Sequence, residues 1–244
     1  MKESEAIIER IRSINRSYQY LDLAVDDTLM AIKPGQSFLA RLGDTWDPYL
    51  RDQWWPVGVT NGKLVVERPA EEVYEAGQVI PVLGLVGKPY RFRRTLRNVL
   101  LLAHDTPPTP LLLTIPWLLS NKISVTIVLT GSAAKYDSQH LPAEVEIVRG
   151  DEEFEWPNQV MTIGWADQVF VVVAQDDERL RFQTVVNRFR ELRSDIPKNY
   201  IFGVFQPPLP CGAGACSSCM LRTMGGTVLV CTDGPAFDLS QVRL

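Results

Sequence analysis

Apolar and polar positions follow two different rhythms along this chain, and the change falls near residue 95. Residues 1–15 carry Ile7, Ile8 and Ile11 on one helical face among Lys, Glu and Arg, which predicts an amphipathic helix. From Tyr18 to about Val86 the pattern becomes short β segments parted by turn signals. Tyr20-Leu-Asp-Leu-Ala-Val25 alternates, and Lys33-Pro-Gly-Gln36 marks a turn before the apolar stretch 37–42. Asn61-Gly62 is the strongest hairpin signal in the chain, lying between residues 56–60 and 63–67. Ala76-Gly77 then leads into 78–83. Strands this short and closely spaced predict a small β-barrel or sandwich.

Beyond Thr95 the rhythm is that of an α/β domain. Residues 98–103 and 124–130 are continuous apolar runs, as expected of parallel strands covered on both faces. Between them, Thr109 to Ser120 suits a helix whose extent Pro110 and Pro116 restrict. Residues 145–148, 167–173 and 200–205 read as further strands. Asp177 to Leu192 reads as an amphipathic helix, with Leu180, Phe182, Val185, Val186 and Phe189 set against Arg and Glu. The expected organisation is an N-terminal helix and β-barrel over 1–94, a parallel-sheet α/β domain over 95–205, and a small cysteine-bearing domain over 206–244.

Composition narrows the setting. With 45% hydrophobic and 22% charged residues and a net charge of −4, the 244-residue chain is ordinary for a soluble globular protein. Nothing in that charge attracts nucleic acid or an anionic membrane. No apolar run approaches the ~18 residues that span a bilayer. The N-terminus lacks the apolar run of a signal peptide, so a cytoplasmic location is expected. His104 and His140, the only histidines, read as surface or turn residues. Arg91, Arg93, Arg94 and Arg97 form a basic run at the domain junction, read either as a solvated linker or as a phosphate or partner contact.

The chemistry is concentrated in the cysteines. All four lie between positions 211 and 231, spaced Cys-x4-Cys-x2-Cys-x11-Cys. That order is the plant-type spacing for a [2Fe–2S] cluster. A structural zinc usually takes two Cys-x2-Cys knuckles, and only one is present here. A disulfide framework belongs to small secreted domains with cysteines along their length. Gly212 and Gly214 let the backbone wrap closely and aim amides at sulfur, while Ala213, Ala215, Ser217 and Ser218 keep bulk away. A [2Fe–2S] cluster on Cys211, Cys216, Cys219 and Cys231 is the expectation, with zinc and disulfides as the alternatives. Phe202, Phe205, Leu209 and Met220 are expected to shield it.

Two stretches carry a family resemblance: Cys211-Gly-Ala-Gly-Ala-Cys-Ser-Ser-Cys219 and Val230-Cys-Thr-Asp-Gly-Pro-Ala-Phe-Asp238. Together with the order of barrel, α/β domain and cysteines, they resemble the electron-transfer subunit of the two-subunit, NAD-linked dihydroorotate dehydrogenase, in the ferredoxin–NADP reductase superfamily. Pro34-Gly-Gln-Ser-Phe38 and Val82-Leu-Gly-Leu-Val-Gly87 are further, weaker points of likeness. The resemblance implies FAD held between barrel and α/β domain, NAD(H) on the α/β domain, and a cluster relaying electrons to a flavoprotein partner in pyrimidine biosynthesis. It puts flavin contacts at Arg51, Trp54, Trp55, Gly84 and Gly87.

The cofactor loops depart from that pattern. The flavin strand reads Arg51-Asp-Gln-Trp-Trp-Pro-Val57, without the family's Ser, and no Gly-x-Gly-Thr segment lies between Glu67 and Gln78. The first α/β turn, Ala103-His-Asp-Thr-Pro-Pro-Thr-Pro110, has no glycine and an acid that opposes an anion; Val173-Ala-Gln-Asp-Asp177 replaces the family's Cys-Gly-Pro loop. FAD is left open and NAD(P)H is not expected. The expected function is electron transfer through the cluster within a hetero-oligomer; the alternative is a non-catalytic adaptor or sensor with a structural cluster.

Overall fold

A computed structural model describes residues 2–43 and 50–244. Lys2–Ser13 form a strand, β1, where the isoleucine spacing predicts a helix. Ala6 and Ile8 are buried at the two-residue period of a strand, and Ile7 points outward. A bulge between Ile8 and Arg10 then shifts the register, so that Ile11 also faces inward and the apolar positions imitate a helical stripe.

Six more strands complete an antiparallel sheet: β2 (Tyr18–Ala24), β3 (Ser37–Ala40), β4 (Asp52–Trp54), β5 (Pro56–Thr60), β6 (Lys63–Pro69) and β7 (Val79–Val86). A short helix, α1 (Asp27–Met30), capped by the Asp26 side chain, sits between β2 and β3. The strand order is β4-β3-β7-β1-β2-β6-β5. The two edge strands, β4 and β5, are separated in sequence by Trp55 alone. The sheet therefore curls until its edges meet at that residue. Leu21, Leu23, Phe38, Trp54, Leu64, Val66, Ile80 and Val82 fill the interior.

The second sheet has the order Glu146–Arg149 (β10), Ser124–Thr130 (β9), Asn98–His104 (β8), Gln168–Val173 (β11), Ile201–Val204 (β12) and Ala236–Asp238 (β15). β8, β9, β10, β11 and β12 are parallel. Pro110 and Pro116 divide the expected helix into α2 (Thr109–Leu112) and α3 (Thr114–Ser120). A 3₁₀ turn over Gly131–Lys135 follows β9. α4 (Gln159–Trp165) precedes β11, and α5 (Glu178–Leu192) packs Phe182, Val185, Val186 and Phe189 inward. From β8 the chain builds outward through β9 and β10, then crosses back to place β11 on the other side of β8. The gap between the carboxyl ends of β8 and β11 is thus the topological switch point, where open α/β sheets take their ligands.

The cysteine segment adds a hairpin, β13 (Met220–Thr223) and β14 (Gly226–Leu229), the short helix α6 (Val230–Asp233), and β15 (Ala236–Asp238). β15 runs antiparallel along β12 and closes the α/β sheet. Barrel and α/β sheet also meet in two seams. In one, Phe170 packs against Tyr90 and Phe92 from the segment leaving the barrel. In the other, the buried Glu67 of β6 accepts hydrogen bonds from Thr109 Oγ1 at 2.9 Å and Tyr136 Oη at 2.7 Å. No helix among the described residues is long and apolar enough to cross a membrane.

Candidate functional site

The four cysteines come together as two pairs. Cys219 Sγ lies 3.3 Å from Cys231 Sγ, and Cys216 is drawn to Cys211 by its own amide, which donates to Cys211 Sγ at 3.4 Å. Cys219 and Cys231 are buried, Cys211 is half-buried and Cys216 is exposed, so one pair faces the core and the other faces solvent. Gly212 and Gly214 take φ of +61° and +78°. That wrap aims the amides of Ala213 and Cys216 at Cys211 Sγ, each at 3.4 Å. Those two amides hold the Cys211 thiol below its usual range. Burial pushes Cys231 up instead.

Among the described residues, no three or more His, Cys, Asp or Glu side chains close on a single ion position. Paired sulfurs suit a two-iron cluster, in which each iron takes two thiolates, better than the single tetrahedral set of a structural zinc. The amides around Cys211 stabilise thiolate charge, as such a cluster requires.

The closing segment is clamped from both sides. The Gly87 amide, at the barrel exit, donates to the Cys231 carbonyl at 2.9 Å, and Lys88 pairs with Asp233 at 3.0 Å. Asp233 also accepts the Leu229 amide at 3.0 Å. Gly87 has φ +83°, and a Cβ there would stand 2.9 Å from the Gly234 carbonyl. Its lack of a side chain serves the approach of the cysteine loop. Gly84 is likewise a packing position, since a Cβ would meet Leu29 at 2.5 Å. The flavin contacts expected of Gly84 and Gly87 would fall to their backbone atoms, since packing excludes a side chain at either position.

Of the two adjacent tryptophans, Trp55 lines a cavity and Trp54 is enclosed in the barrel. Trp54 is 1% exposed and lies inside the barrel between Phe38 and Tyr74, with the Arg68 guanidinium 4.9 Å from its ring centre. A strand alternates its faces, so adjacent tryptophans could not both point into one cleft. Trp55 lines a cavity of about 390 Å³ with Arg51, Gln53, Arg68, Gln175, Gln206 and Leu209. This cleft lies between barrel and α/β sheet, and its last wall runs directly into Cys211. Arg51 is held by Glu3 through Nη2 at 2.5 Å, while its buried Nη1 has no partner among the described residues. Arg68 is committed to Glu72 at 2.7 and 2.8 Å.

The cleft's glutamine amides and the Arg51 Nη1, unpartnered among the described residues, fit the polar edge of a flavin ring beside an aromatic wall. The segment after β6, tied up by the Arg68–Glu72 pair, offers no glycine cradle for a diphosphate.

Other residues lie elsewhere than the sequence implies. His104 is interior, 8% exposed and bonded to Thr130 Oγ1 at 2.9 Å, whereas His140 sits half-buried in a turn, as expected, with Nε2 3.1 Å from Tyr136 Oη. Phe205 and Leu209 share a core with Cys219 and Cys231, as the shielding role requires. Phe202 packs on the opposite face against Phe170, and Met220 is exposed. In the basic run, Arg93 bonds the Lys198 and Asn199 carbonyls.

Glu67 was overlooked by pattern, although an acid in the buried run Leu64-Val-Val-Glu67 is its signal. Glu178 is a second such acid, at the start of α5, where it accepts the Gln206 amide at 2.7 Å. Burial raises its pKa from 4.5 to about 7, against the Gln206 and Arg179 contacts that lower it.

The folded state therefore holds the Glu178 proton more tightly than the unfolded chain does. Its contribution to stability falls as pH rises from about 4.5 to about 7. Glu178→Gln is expected to remove that decline, a difference on the order of 2–3 kcal/mol across the window. Urea unfolding of both proteins at about pH 5 and about pH 7.5 measures it; equal slopes with pH would contradict the assignment.

Comparison with known proteins places these features. Residues 208–243 match the family described as the iron–sulfur cluster binding domain of dihydroorotate dehydrogenase B. No curated protein matches the chain in sequence. Among solved structures, an NADH-dependent reduced ferredoxin–NADP oxidoreductase, studied for flavin-based electron bifurcation, superposes with a TM-score of 0.73 at 16% identity, over 98% of this chain and 89% of that one. The flavohem-like FAD/NAD binding domain of nitric oxide dioxygenase from Vibrio cholerae O1 biovar El Tor gives 0.63 at 15% identity, over 84% and 98%. The ferredoxin reductase of carbazole 1,9a-dioxygenase gives 0.58 at 11%, over 84% and 67%. The fold is thus ferredoxin–NADP reductase-like, and the segment with the cysteines matches an iron–sulfur cluster binding domain.

Proposed function

We propose that this chain is the electron-transfer subunit of a hetero-oligomeric oxidoreductase, with a [2Fe–2S] cluster on Cys211, Cys216, Cys219 and Cys231. The observation that carries the reading is the pairing of the sulfurs, one pair in the core beside the cleft wall and one at the surface. When bound, the cluster supplies one-electron chemistry between a buried donor and an exposed acceptor.

The chain's own residues do the rest. The Ala213 and Cys216 amides balance thiolate charge at Cys211. Phe205 and Leu209 keep water from the inner pair, and Gly87 with Lys88 fixes the loop that bears Cys231. A flavin fits the cleft, held by the free nitrogen of Arg51, by Gln53 and Gln206, and by the face of Trp55. The redox partner is a protein with the chemistry of a flavoprotein dehydrogenase, docking where Cys216 reaches the surface.

Anaerobic purification followed by visible spectroscopy and iron, sulfide and flavin assays tests the reading. It predicts about two irons and two sulfides per chain and charge-transfer bands that bleach with dithionite. A colourless, zinc-loaded protein would refute it. Flavin in the same preparation supports the cleft assignment; its absence leaves a relay whose donor is a second protein.

A further inference from the structure

At the switch point between β8 and β11, where a dinucleotide would lie, the chain places one of its own side chains. Asp105 follows β8 directly and has φ +56°, a left-handed conformation that turns its carboxylate over the end of the sheet. Asp105 Oδ1 accepts the Ser132 amide at 2.9 Å. Its Oδ2 pairs with Arg181 Nη1 at 2.6 Å and lies 3.4 Å from His104 Nε2. Two donors from two elements, a loop amide and a helix guanidinium, converge on one anion, with the His104 ring beside it. Loop amides and guanidinium are the groups that bind phosphate at such crevices.

The fit is close on every side. A Cβ at Gly131 would collide with Asp105 Oδ1, so the glycine after β9 gives its space to that carboxylate. The other terminal nitrogen of Arg181 pairs with Asp176 at 2.9 Å, so both terminal nitrogens already serve carboxylates of the chain. Burial works to raise the Asp105 pKa, but the Ser132 amide, His104 and Arg181 together hold it below the usual carboxylate range. The anion is permanent at neutral pH. Thr106-Pro107-Pro108 continues the turn, and neither proline has an N–H to offer. A dinucleotide would meet carboxylates at 105, 176 and 177 and find its donors already used.

We propose that the Asp105 carboxylate is an internal substitute for a dinucleotide phosphate, so that the α/β domain binds no NAD(P)H and the chain both receives and delivers electrons through protein contacts. The second half of that statement rests on the electron-transfer reading above.

The test uses the purified holoprotein, with NADH, NADPH and inorganic phosphate as probes. NADH fluorescence is expected to be unchanged by the wild-type protein, and neither nucleotide is expected to bleach a cluster that dithionite bleaches. Asp105→Ala exposes the Ser132 amide and Arg181, so phosphate is expected to raise the Tm of that variant and not of the wild type. The double variant Asp105→Ala/Arg181→Ala is expected to lose the response. Binding or oxidation of NADH by the wild type overturns the proposal without recourse to any variant, should Asp105→Ala fail to fold. So does equal stabilisation of wild type and Asp105→Ala by phosphate, or no stabilisation of a folded Asp105→Ala. A cluster that dithionite cannot reduce would instead sink the electron-transfer reading, while the phosphate response would still decide the role of Asp105.

Discussion

Cys219→Ala is expected to yield a colourless protein with no cluster iron. Cys231 then faces its pocket without the sulfur now 3.3 Å away, and one iron of a two-iron cluster is left a thiolate short. Cys219 also packs in the core with Leu221, Val230 and Leu239. Truncation there removes apolar contact as well as a ligand, at a cost of about 1 kcal/mol, near that of a lost methylene-sized group. Cys216→Ala separates the two effects. Cys216 is exposed, so its loss should bleach the cluster while leaving the apoprotein as stable as before. Visible absorption and iron content report the first effect, and denaturant unfolding of the apoproteins reports the second. Retention of the full spectrum in either variant would refute the ligand assignment.

The second large effect is expected at Phe170. Its ring is fully buried and packs against Tyr90 at 4.9 Å, Phe202 at 5.3 Å and Phe92 at 5.5 Å, measured between ring centres. Tyr90 in turn donates its hydroxyl to the Pro110 carbonyl at 3.0 Å. Phe170→Ala opens a cavity at the point where the segment leaving the barrel crosses the α/β sheet, and should cost about 3–5 kcal/mol. Phe170→Leu, which keeps most of the volume, should cost less than half as much. Chemical denaturation checks both. A loss below about 1 kcal/mol for the alanine variant would mean that the two sheets are held mainly elsewhere.

How much of this was legible in the sequence depended on how local each signal was. The cysteine site is written within one short stretch, so spacing and small residues sufficed to propose it. The hairpin at Asn61-Gly62 and the strand Ser124–Thr130 were equally plain, because turn chemistry and continuous burial act residue by residue. β1 was misread because a bulge, which depends on its partner strand, mixed two periods. β15 escaped notice because three residues gain strand character only by lying along β12. Trp54 and Trp55 look equivalent in sequence, and only the curl of the sheet sends one inward and the other to the cleft. Asp105 was legible as an obstacle to an anion. That it takes the anion's place required Ser132 and Arg181, which lie 27 and 76 positions further along.

The clamp on the Cys231 loop has a consequence for biosynthesis. Gly87 and Lys88, which receive it on one side, and β12, which receives β15 on the other, all precede the first cysteine in the chain. A growing polypeptide therefore makes both docking surfaces before it makes a single cysteine, and domains fold from the N-terminal end as they emerge. The thiols are delivered last, onto a frame already able to seat them.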